Sequence, residues 1–311
     1  MPITVTDPSG EFVLDLSQQD FHVFEDGVEQ TIDHWDLGGD PLALVLVLET
    51  SSRLQAMVPA IHSIGSIFTE TAMALNGEAA VVTYDSTINV RQTFTQDHDA
   101  VQKAIARTAF EAPETNLYDA MAAAVELFKA HPTSRRRIML MVGESQDTGS
   151  TAELGQVVRD AVNSNISIYA VGPSSAAADL RANRTGVPPL KVHGLPPVDV
   201  SAPGKDQMGH TFFDVMTPAI WLLERGTNEM KNHQLQIAAA ATGGIHYRAF
   251  HDSTLRSALE KIGGELHAQY IVSYQTNAAH IPGFHSISVK VSRPNVVVRT
   301  RPGYYVEAPA N

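Results

Sequence analysis

The sequence contains no cysteine and no basic run long enough to follow a phosphate backbone. Without cysteine the chain forms no disulfide, and it has neither a thiolate nucleophile nor a thiolate metal ligand. Its 22 lysine and arginine residues against 34 aspartate and glutamate residues give a formal charge of −12. Because this charge pattern does not suit binding to a nucleic-acid backbone, we expect no nucleic-acid partner.

Long hydrophobic runs are also missing. The run Leu42 to Leu48 has the length of a β-strand, whereas a membrane-spanning helix needs about 20 apolar residues. We therefore expect no membrane span in this chain. No secretory signal peptide is visible, yet Met1 to Asp7 already has the pattern of a strand. This start predicts an extracytoplasmic protein, secreted or periplasmic, whose leader is absent from the sequence.

The composition is that of a folded globular protein. Hydrophobic residues make up 43% and charged residues 18% of the 311 residues, which excludes the profile of intrinsic disorder. The length allows one large domain or two ordinary ones.

Both ends of the chain are rich in alternating β patterns. The pair Asp26-Gly27 lies between two such patterns, and it favours a type I′ hairpin because both residues tolerate positive φ. Residues 1–38 cannot close a core alone. We expect them to pair with residues 269–307 in one small sandwich-like β module.

Between the ends, near-continuous apolar strands alternate with amphipathic helices. This rhythm predicts a Rossmann-like α/β domain over residues 39–268, with a doubly wound and mostly parallel central sheet. A proline-rich insertion at about 174–232 interrupts it, with no strand of its own expected. Its Phe213 and Trp221 either anchor the insertion on its own domain or form a partner-binding flap.

Oxygen-bearing residues follow the predicted strands, where open α/β sheets bind their ligands. The three segments are Glu49 to Arg53, Glu114 to Ala120 and Gly143 to Ser150. Together they form the candidate site. No His-Glu-x-x-His, Gly-x-Ser-x-Gly or phosphate-loop motif is present, so no catalytic motif supports an enzyme.

Several further short motifs recur in order along nearly the whole chain: Val5 to Gly10, Asp20-Phe21 with Glu25 to Gly27, Leu117 to Ala120, Thr242 to Gly244, Gln269-Tyr270, and Arg301 to Tyr305. In their order and spacing the chain resembles the von Willebrand factor type A (VWFA) domains, in particular the bacterial VWFA-related acidobacterial group. The resemblance implies a non-catalytic adhesion or interaction module that binds a protein partner.

Domains of this family often hold Mg²⁺ or Mn²⁺ in a metal-ion-dependent adhesion site. An Asp-x-Ser-x-Ser loop, a threonine and a further aspartate supply its ligands. By this resemblance, Glu49 stands for the first aspartate, Ser51 for the first serine and Arg53 for the second; Thr115 matches the threonine and Glu144 stands for the last aspartate. Two of the five positions keep their residue type, so the resemblance implies a degenerate site.

The departures disfavour a metal. Each glutamate extends its carboxylate by roughly 1.5 Å, which the rigid Mg²⁺ coordination sphere tolerates poorly. A guanidinium about 5 Å from a dication is repelled by about 7 kcal/mol at an effective dielectric near 20. Our hypothesis is that Arg53 occupies the space of the lost ion and pairs with Glu49, Glu144 or both.

Alternatives stay open at this point. Arg53 can point to solvent while Ser51 and Ser52 cap the following helix. A metal, if present, would take Glu49, Ser51, Thr115 and Glu144 as ligands. The site then serves either Mg²⁺-dependent adhesion or a metal-dependent enzyme, a hydrolase using Glu49 and Glu144. The third interpretation is a structural subunit in which the residues of the site serve only packing.

Overall fold

The computed structural model describes residues 1–38, 41–59, 61–62, 76–109, 112, 114–144, 146–172, 204–205, 211–212, 216–226, 233–249, 252–276, 278 and 280–309. Its strands, in chain order, are β1 Pro2–Thr6, β2 Phe21–Glu25, β3 Val28–Gln30, β4 His34–Leu37, β5 Leu42–Glu49, β6 Glu78–Tyr84, β7 Ile88–Thr95, β8 Arg136–Val142, β9 Ile166–Gly172, β10 Gly204–Lys205, β11 Thr211–Phe212, β12 His246–Arg248, β13 Tyr270–Ser273, β14 Gly283–Val291, β15 Val297–Arg299 and β16 Gly303–Val306.

The described helices are mostly short. They are α1 His98–Ala106, α2 Leu117–Ala130, α3 Leu154–Asn163, α4 Met216–Arg225, α5 Gln234–Ala241 and α6 Asp252–His267, with 3-10 turns at Gln18–Asp20 and Ser52–Met57. Within the described ranges, none of them has the length and apolar character that crossing a membrane requires.

The central sheet has six strands in the order β12-β9-β8-β5-β6-β7. Neighbouring strands pair in parallel, except that β7 runs antiparallel to β6. The predicted mixed α/β class with a mostly parallel Rossmann-like sheet is therefore confirmed. All eight residues of β5 are buried, as expected for a central strand covered on both faces.

Side chains of β5 alternate between two cores. One core takes Ala43, Val45 and Val47 and packs against α2, α3, α4 and α5. The other takes the intervening leucines of β5 and packs against α1, α6 and the 3-10 turn after β5. Because helices cover both faces, the candidate site can lie only at an edge of the sheet, where the strands end.

The terminal segments form two four-stranded antiparallel sheets. Their strand orders are β15-β1-β13-β4 and β16-β14-β2-β3. Ile3 and Tyr270 from the first sheet and Val23 from the second share one buried core. Asp26 and Gly27 have φ of 50° and 81°, which fits the expected turn between β2 and β3. The boundaries of the two units as separate domains stay a prediction.

The expectation of an insertion without strands is wrong. Between residues 174 and 232 the described parts include the helix α4 and the short antiparallel pair β10 and β11. Trp221 is 4% exposed and packs in the core beside α3, so the idea that it forms a partner-binding flap is also wrong. Its apolar ring is buried within its own chain. Phe213 lies outside the described residues.

Candidate functional site

The candidate site lies where β5 and β8 end, at the carboxyl edge of the central sheet. Glu49 is the last residue of β5, and Glu144 follows β8 by two positions. Since β5 and β8 are parallel neighbours, the two segments emerge side by side. Thr115 lies in the segment that leads into α2.

Glu49 is fully buried, and both of its carboxylate oxygens accept hydrogen bonds from the protein. The hydroxyl of Ser51 donates to Oε1. The backbone N–H of Glu144 donates to Oε2 across 2.6 Å. Glu49 thus acts as an internal acceptor that joins the ends of β5 and β8.

Ser51 occupies the N-cap position of the 3-10 turn Ser52–Met57, but its side chain makes no capping hydrogen bond. Its hydroxyl turns back to Glu49 instead. The neighbouring backbone is held by Ala112, whose carbonyl accepts from the N–H of Ser52 at 2.8 Å. The capping alternative therefore does not describe this serine side chain.

Arg53 points into the site and remains partly exposed. Its Nη1 donates to Oε1 of Gln146 at 2.5 Å and lies 3.9 Å from Oε2 of Glu144. Side-chain exposure is 32% for Arg53 and 21% for Glu144. The guanidinium therefore pairs loosely with Glu144, and its closest contact is to a neutral amide oxygen.

Thr115 is fully buried and is held by the loop after β8. Its hydroxyl donates to the carbonyl of Gln146 at 2.8 Å, and its backbone N–H donates to the hydroxyl of Thr148 at 2.8 Å. Gln146 thus accepts a hydrogen bond from Arg53 with its side-chain oxygen and one from Thr115 with its backbone carbonyl. Hydrogen bonds, together with the ion pair of Arg53 with Glu144, connect all five residues chosen from the sequence, and Gln146 links Thr115 to the others.

Tyr84 and Gly143 form the floor of the site. Tyr84 is the register partner of Glu49 in the neighbouring strand β6, and its buried hydroxyl has no hydrogen-bond partner among the described residues. A Cβ on Gly143 would lie 2.6 Å from that hydroxyl and 2.7 Å from Oε2 of Glu49. Only glycine leaves room for both side chains at this point.

Burial controls the acid–base properties of the site. It raises the pKa of Glu49 from 4.5 to about 7; the hydrogen bonds from Ser51 and Glu144 oppose this rise, and the charge of Glu144 adds to it. Burial also raises the pKa of Glu144, against the effect of Arg53. Burial, followed by the charge of Glu49, raises the pKa of Tyr84 well above its usual value. Burial therefore favours the protonated form of both carboxyl groups.

The arrangement does not fit a divalent cation. The carboxylate of Glu49 and the hydroxyls of Ser51 and Thr115 are engaged with protein groups, and a guanidinium lies beside Glu144. Mg²⁺ needs near-octahedral oxygen ligands at about 2.1 Å. Among the described residues, no group of three or more histidine, aspartate or glutamate side chains is placed to hold a metal ion.

Two residues of the site were missed in the sequence, Gln146 and Tyr84. Tyr84 could have been found, because it ends β6 as Glu49 ends β5, and parallel strands that end together place their last residues side by side. Gln146 lies within the segment Gly143 to Ser150 chosen from the sequence, but no residue pattern marks it as the acceptor for Arg53.

Residues 44–146 match the family model of the von Willebrand factor type A domain. The match confirms the expected resemblance to this family over residues 44–146. The matched range includes β5, β6 and β8 and all five candidate site residues. The acidobacterial group within the family stays a prediction.

Solved structures that are similar to the chain include the following three. An aerotolerance-related membrane protein from Bacteroides fragilis NCTC 9343, carrying multiple mutations to serine, is 12% identical with a TM-score of 0.45 over 72% of this chain and 98% of that chain. The conserved hypothetical protein BatB from Bacteroides thetaiotaomicron is 13% identical with a TM-score of 0.43 over the same shares. Proximal thread matrix protein 1 from the mussel byssus is 9% identical with a TM-score of 0.47 over 74% of this chain and 48% of that chain. No curated protein matches the sequence.

Proposed function

We propose that this protein is a non-catalytic interaction module of VWFA type in which an internal polar cluster replaces the metal ion of the adhesion site. The observation that carries the proposal is the position of Arg53, 2.5 Å from Gln146 and 3.9 Å from Glu144. A guanidinium there supplies positive charge where the family's metal ion would otherwise be needed.

The charges of the cluster support the same conclusion. A carboxyl with a pKa of about 7, as for Glu49, is largely protonated below neutral pH. One arginine beside Glu144 then leaves the cluster close to neutral without any ion. An adhesion site with two ionised aspartates would instead require a dication for charge balance.

The partner we propose is a protein that docks at the carboxyl edge of the central sheet, outside the cytoplasm. Arg53 and Glu144 are the partly exposed charges of the cluster. Charged groups at an interface supply orientation and specificity more than affinity. We therefore propose that Arg53 contacts the partner directly, with no metal between the two proteins.

Two measurements test this function. The first is calorimetric titration of the chelator-treated protein with Mg²⁺ and with Mn²⁺, for which we expect no saturable heat. Stoichiometric binding with micromolar affinity would overturn the metal-free site.

The second measurement is capture of extracytoplasmic proteins on the immobilised chain, with and without EDTA. We expect the same protein to be retained in both cases and to be lost with Arg53→Glu. The matched control is Arg256→Glu, which makes the same charge change on the exposed face of α6. Retention that requires a divalent ion would favour Mg²⁺-dependent adhesion. Failure to retain any protein would favour the structural-subunit reading.

A metal-dependent hydrolase is the alternative from another class. It requires Glu49 and Glu144 to ligate an ion that keeps an open water position. Because both oxygens of Glu49 accept hydrogen bonds from the protein, the observed contacts favour the interaction module. The same titration separates these two functions.

A further inference from the structure

A cavity lies at the opposite edge of the central sheet from the candidate site. Its volume is about 890 Å³, and its lining includes the first residues of β8 and β9 and the end of α3. The terminal β segments close it from the other side with Ile271, Tyr274 and Tyr304. Ligand cavities commonly have volumes of about 300 to 1,000 Å³, so this space fits a small organic molecule.

The cavity is lined by positive charge. Its charged side chains are those of Arg135, Arg136, Arg137, Arg301 and Glu307, which is four cations against one acid. The chain as a whole carries −12. Such a concentration of guanidinium groups in an acidic protein attracts anions into a partly enclosed space.

Two of these arginines make no ion pair within the described part of the chain. Nη1 of Arg137 donates to the carbonyl of Ser164 at 3.0 Å. Nη1 of Arg301 donates to the carbonyl of Val162 at 3.1 Å and to Oδ1 of Asn165 at 3.0 Å. All three acceptors are neutral, so these contacts supply no countercharge. By contrast, Nε of Arg135 lies 3.3 Å from Oε1 of Glu78.

Arg301 also has a donor left over. Its Nε is buried and has no hydrogen-bond partner among the described residues. Burial lowers the pKa of Arg301, which the hydroxyls of Tyr274 and Tyr304 oppose. A buried guanidinium without a countercharge is costly. Nη1 of Arg137 and Nη1 of Arg301 each donate to a carbonyl at the C-terminal end of α3. Nε of Arg301 has no such acceptor among the described residues.

We infer that this cavity binds a small organic oxyanion, with Arg301 and Arg137 as its donors. A guanidinium presents N–H groups in a planar fork that matches carboxylate or phosphate oxygens. Ile271 supplies apolar wall for the body of the ligand. The site is separate from the proposed interaction site and does not depend on it.

The test is calorimetric titration of the full chain with two probes, inorganic phosphate and citrate, with sodium chloride adjusted to constant ionic strength. We expect saturable binding of one probe per chain for at least one of them. The probe that binds more tightly distinguishes a phosphate site from a carboxylate site. Arg301→Gln and Arg137→Gln should each weaken binding about tenfold or more, the effect of losing one charge-assisted hydrogen bond.

The matched control is Arg256→Gln, which removes the same charge from an exposed position of α6 and should leave binding unchanged. Circular dichroism and the melting temperature without ligand show whether each variant folds. If Arg301→Gln does not fold, Arg301→Lys and Arg137→Gln decide the question. The inference is overturned if the unmodified chain binds neither probe saturably, if both cavity variants bind as well as it does, or if the control loses as much affinity as they do.

Discussion

The backbone N–H of Glu144 lies 2.6 Å from the carboxylate of Glu49, which it uses as its hydrogen-bond acceptor. This bond makes Glu49 a structural link between two neighbouring strand ends. The additional methylene of glutamate, compared with aspartate, extends its carboxylate toward the loop after β8.

Restoring the residue types of the adhesion site should restore metal binding. In the triple variant Glu49→Asp, Arg53→Ser and Glu144→Asp, the carboxylates are shortened and the guanidinium is removed, while Ser51 and Thr115 keep their hydroxyls. We expect saturable Mg²⁺ or Mn²⁺ binding with a Kd of about 1 mM or tighter, which corresponds to about 4 kcal/mol. Calorimetric titration measures it.

The control for that prediction adds Thr115→Ala to the triple variant, which removes one oxygen ligand and should weaken the binding. If the triple variant binds no more metal than the unmodified chain, the five positions do not form a common site.

The free energy of unfolding should fall as pH rises above the ordinary pKa of a glutamate side chain. The pKa of Glu49 is raised from 4.5 to about 7 in the folded state, mainly by burial. The folded state therefore holds this proton more tightly than the unfolded state, so the contribution of Glu49 is favourable at low pH and is lost between about pH 4.5 and 7. The full loss is about 3 kcal/mol.

The variant Glu49→Gln isolates this effect, because glutamine does not titrate and its amide can accept from Glu144 N–H and donate to Ser51. Denaturant unfolding of both proteins at several pH values between about 5 and 8 gives the difference in free energy of unfolding. We expect the difference to move in favour of the variant as pH rises. A difference that stays constant with pH would show that Glu49 has an ordinary pKa.

The variant Gly143→Ala should damage the floor of the candidate site. The added methyl would lie 2.6 Å from the hydroxyl of Tyr84 and 2.8 Å from Cβ of Glu49, and overpacking of this kind costs about 1 to 3 kcal/mol. Gly264 in α6 is the control, since nothing lies within 4 Å of its Cβ position. Gly264→Ala should stabilise the helix by about 0.5 to 1 kcal/mol. Thermal unfolding of both variants compares the two outcomes, and equal effects would contradict the steric argument.

The ion pair of Arg299 with Glu265 should behave as a coupled unit. Nη2 of Arg299 lies 2.5 Å from the buried carboxylate of Glu265, which also accepts from the hydroxyl of Tyr169 at 2.6 Å. Arg299→Met leaves that carboxylate without its cation and should cost about 3 kcal/mol. The double variant Arg299→Met with Glu265→Gln removes both charges and should cost less. A double-mutant cycle in urea checks this, and purely additive effects would mean that the two charges do not interact.

Local sequence signals predicted the regular elements well. The helix α2 at Leu117–Ala130 is one of the amphipathic helices expected between the apolar strands, because its apolar spacing is regular and polar residues flank it. The hairpin at Asp26-Gly27 forms with positive φ at both residues, since these are the residue types that such a turn requires. Asp97 caps α1 by accepting from the N–H groups of Asp99 and Ala100.

Contacts between distant segments of the chain were harder to predict from the sequence. The spacing of the family motif drew attention to Glu49 and Glu144, but it could not show that the side chain of Glu49 accepts from the backbone N–H of Glu144. The sequence left two interpretations of Trp221 open, because an apolar side chain in an insertion gives no sign of whether it covers its own domain or a partner's surface. Such outcomes depend on tertiary packing that local patterns do not encode.

The pairing of the first strand sets an order of events during synthesis. β1 pairs with both β13 and β15, which the ribosome produces only after the whole central sheet. Until then Ile3, Val5 and Val23 have no complete core to enter. The central sheet can therefore fold first, whereas β1 can pair only after β13 and β15 have been synthesised. Contacts of such long sequence separation form slowly, so we expect this part of the nascent protein to be the most exposed to chaperones and proteases.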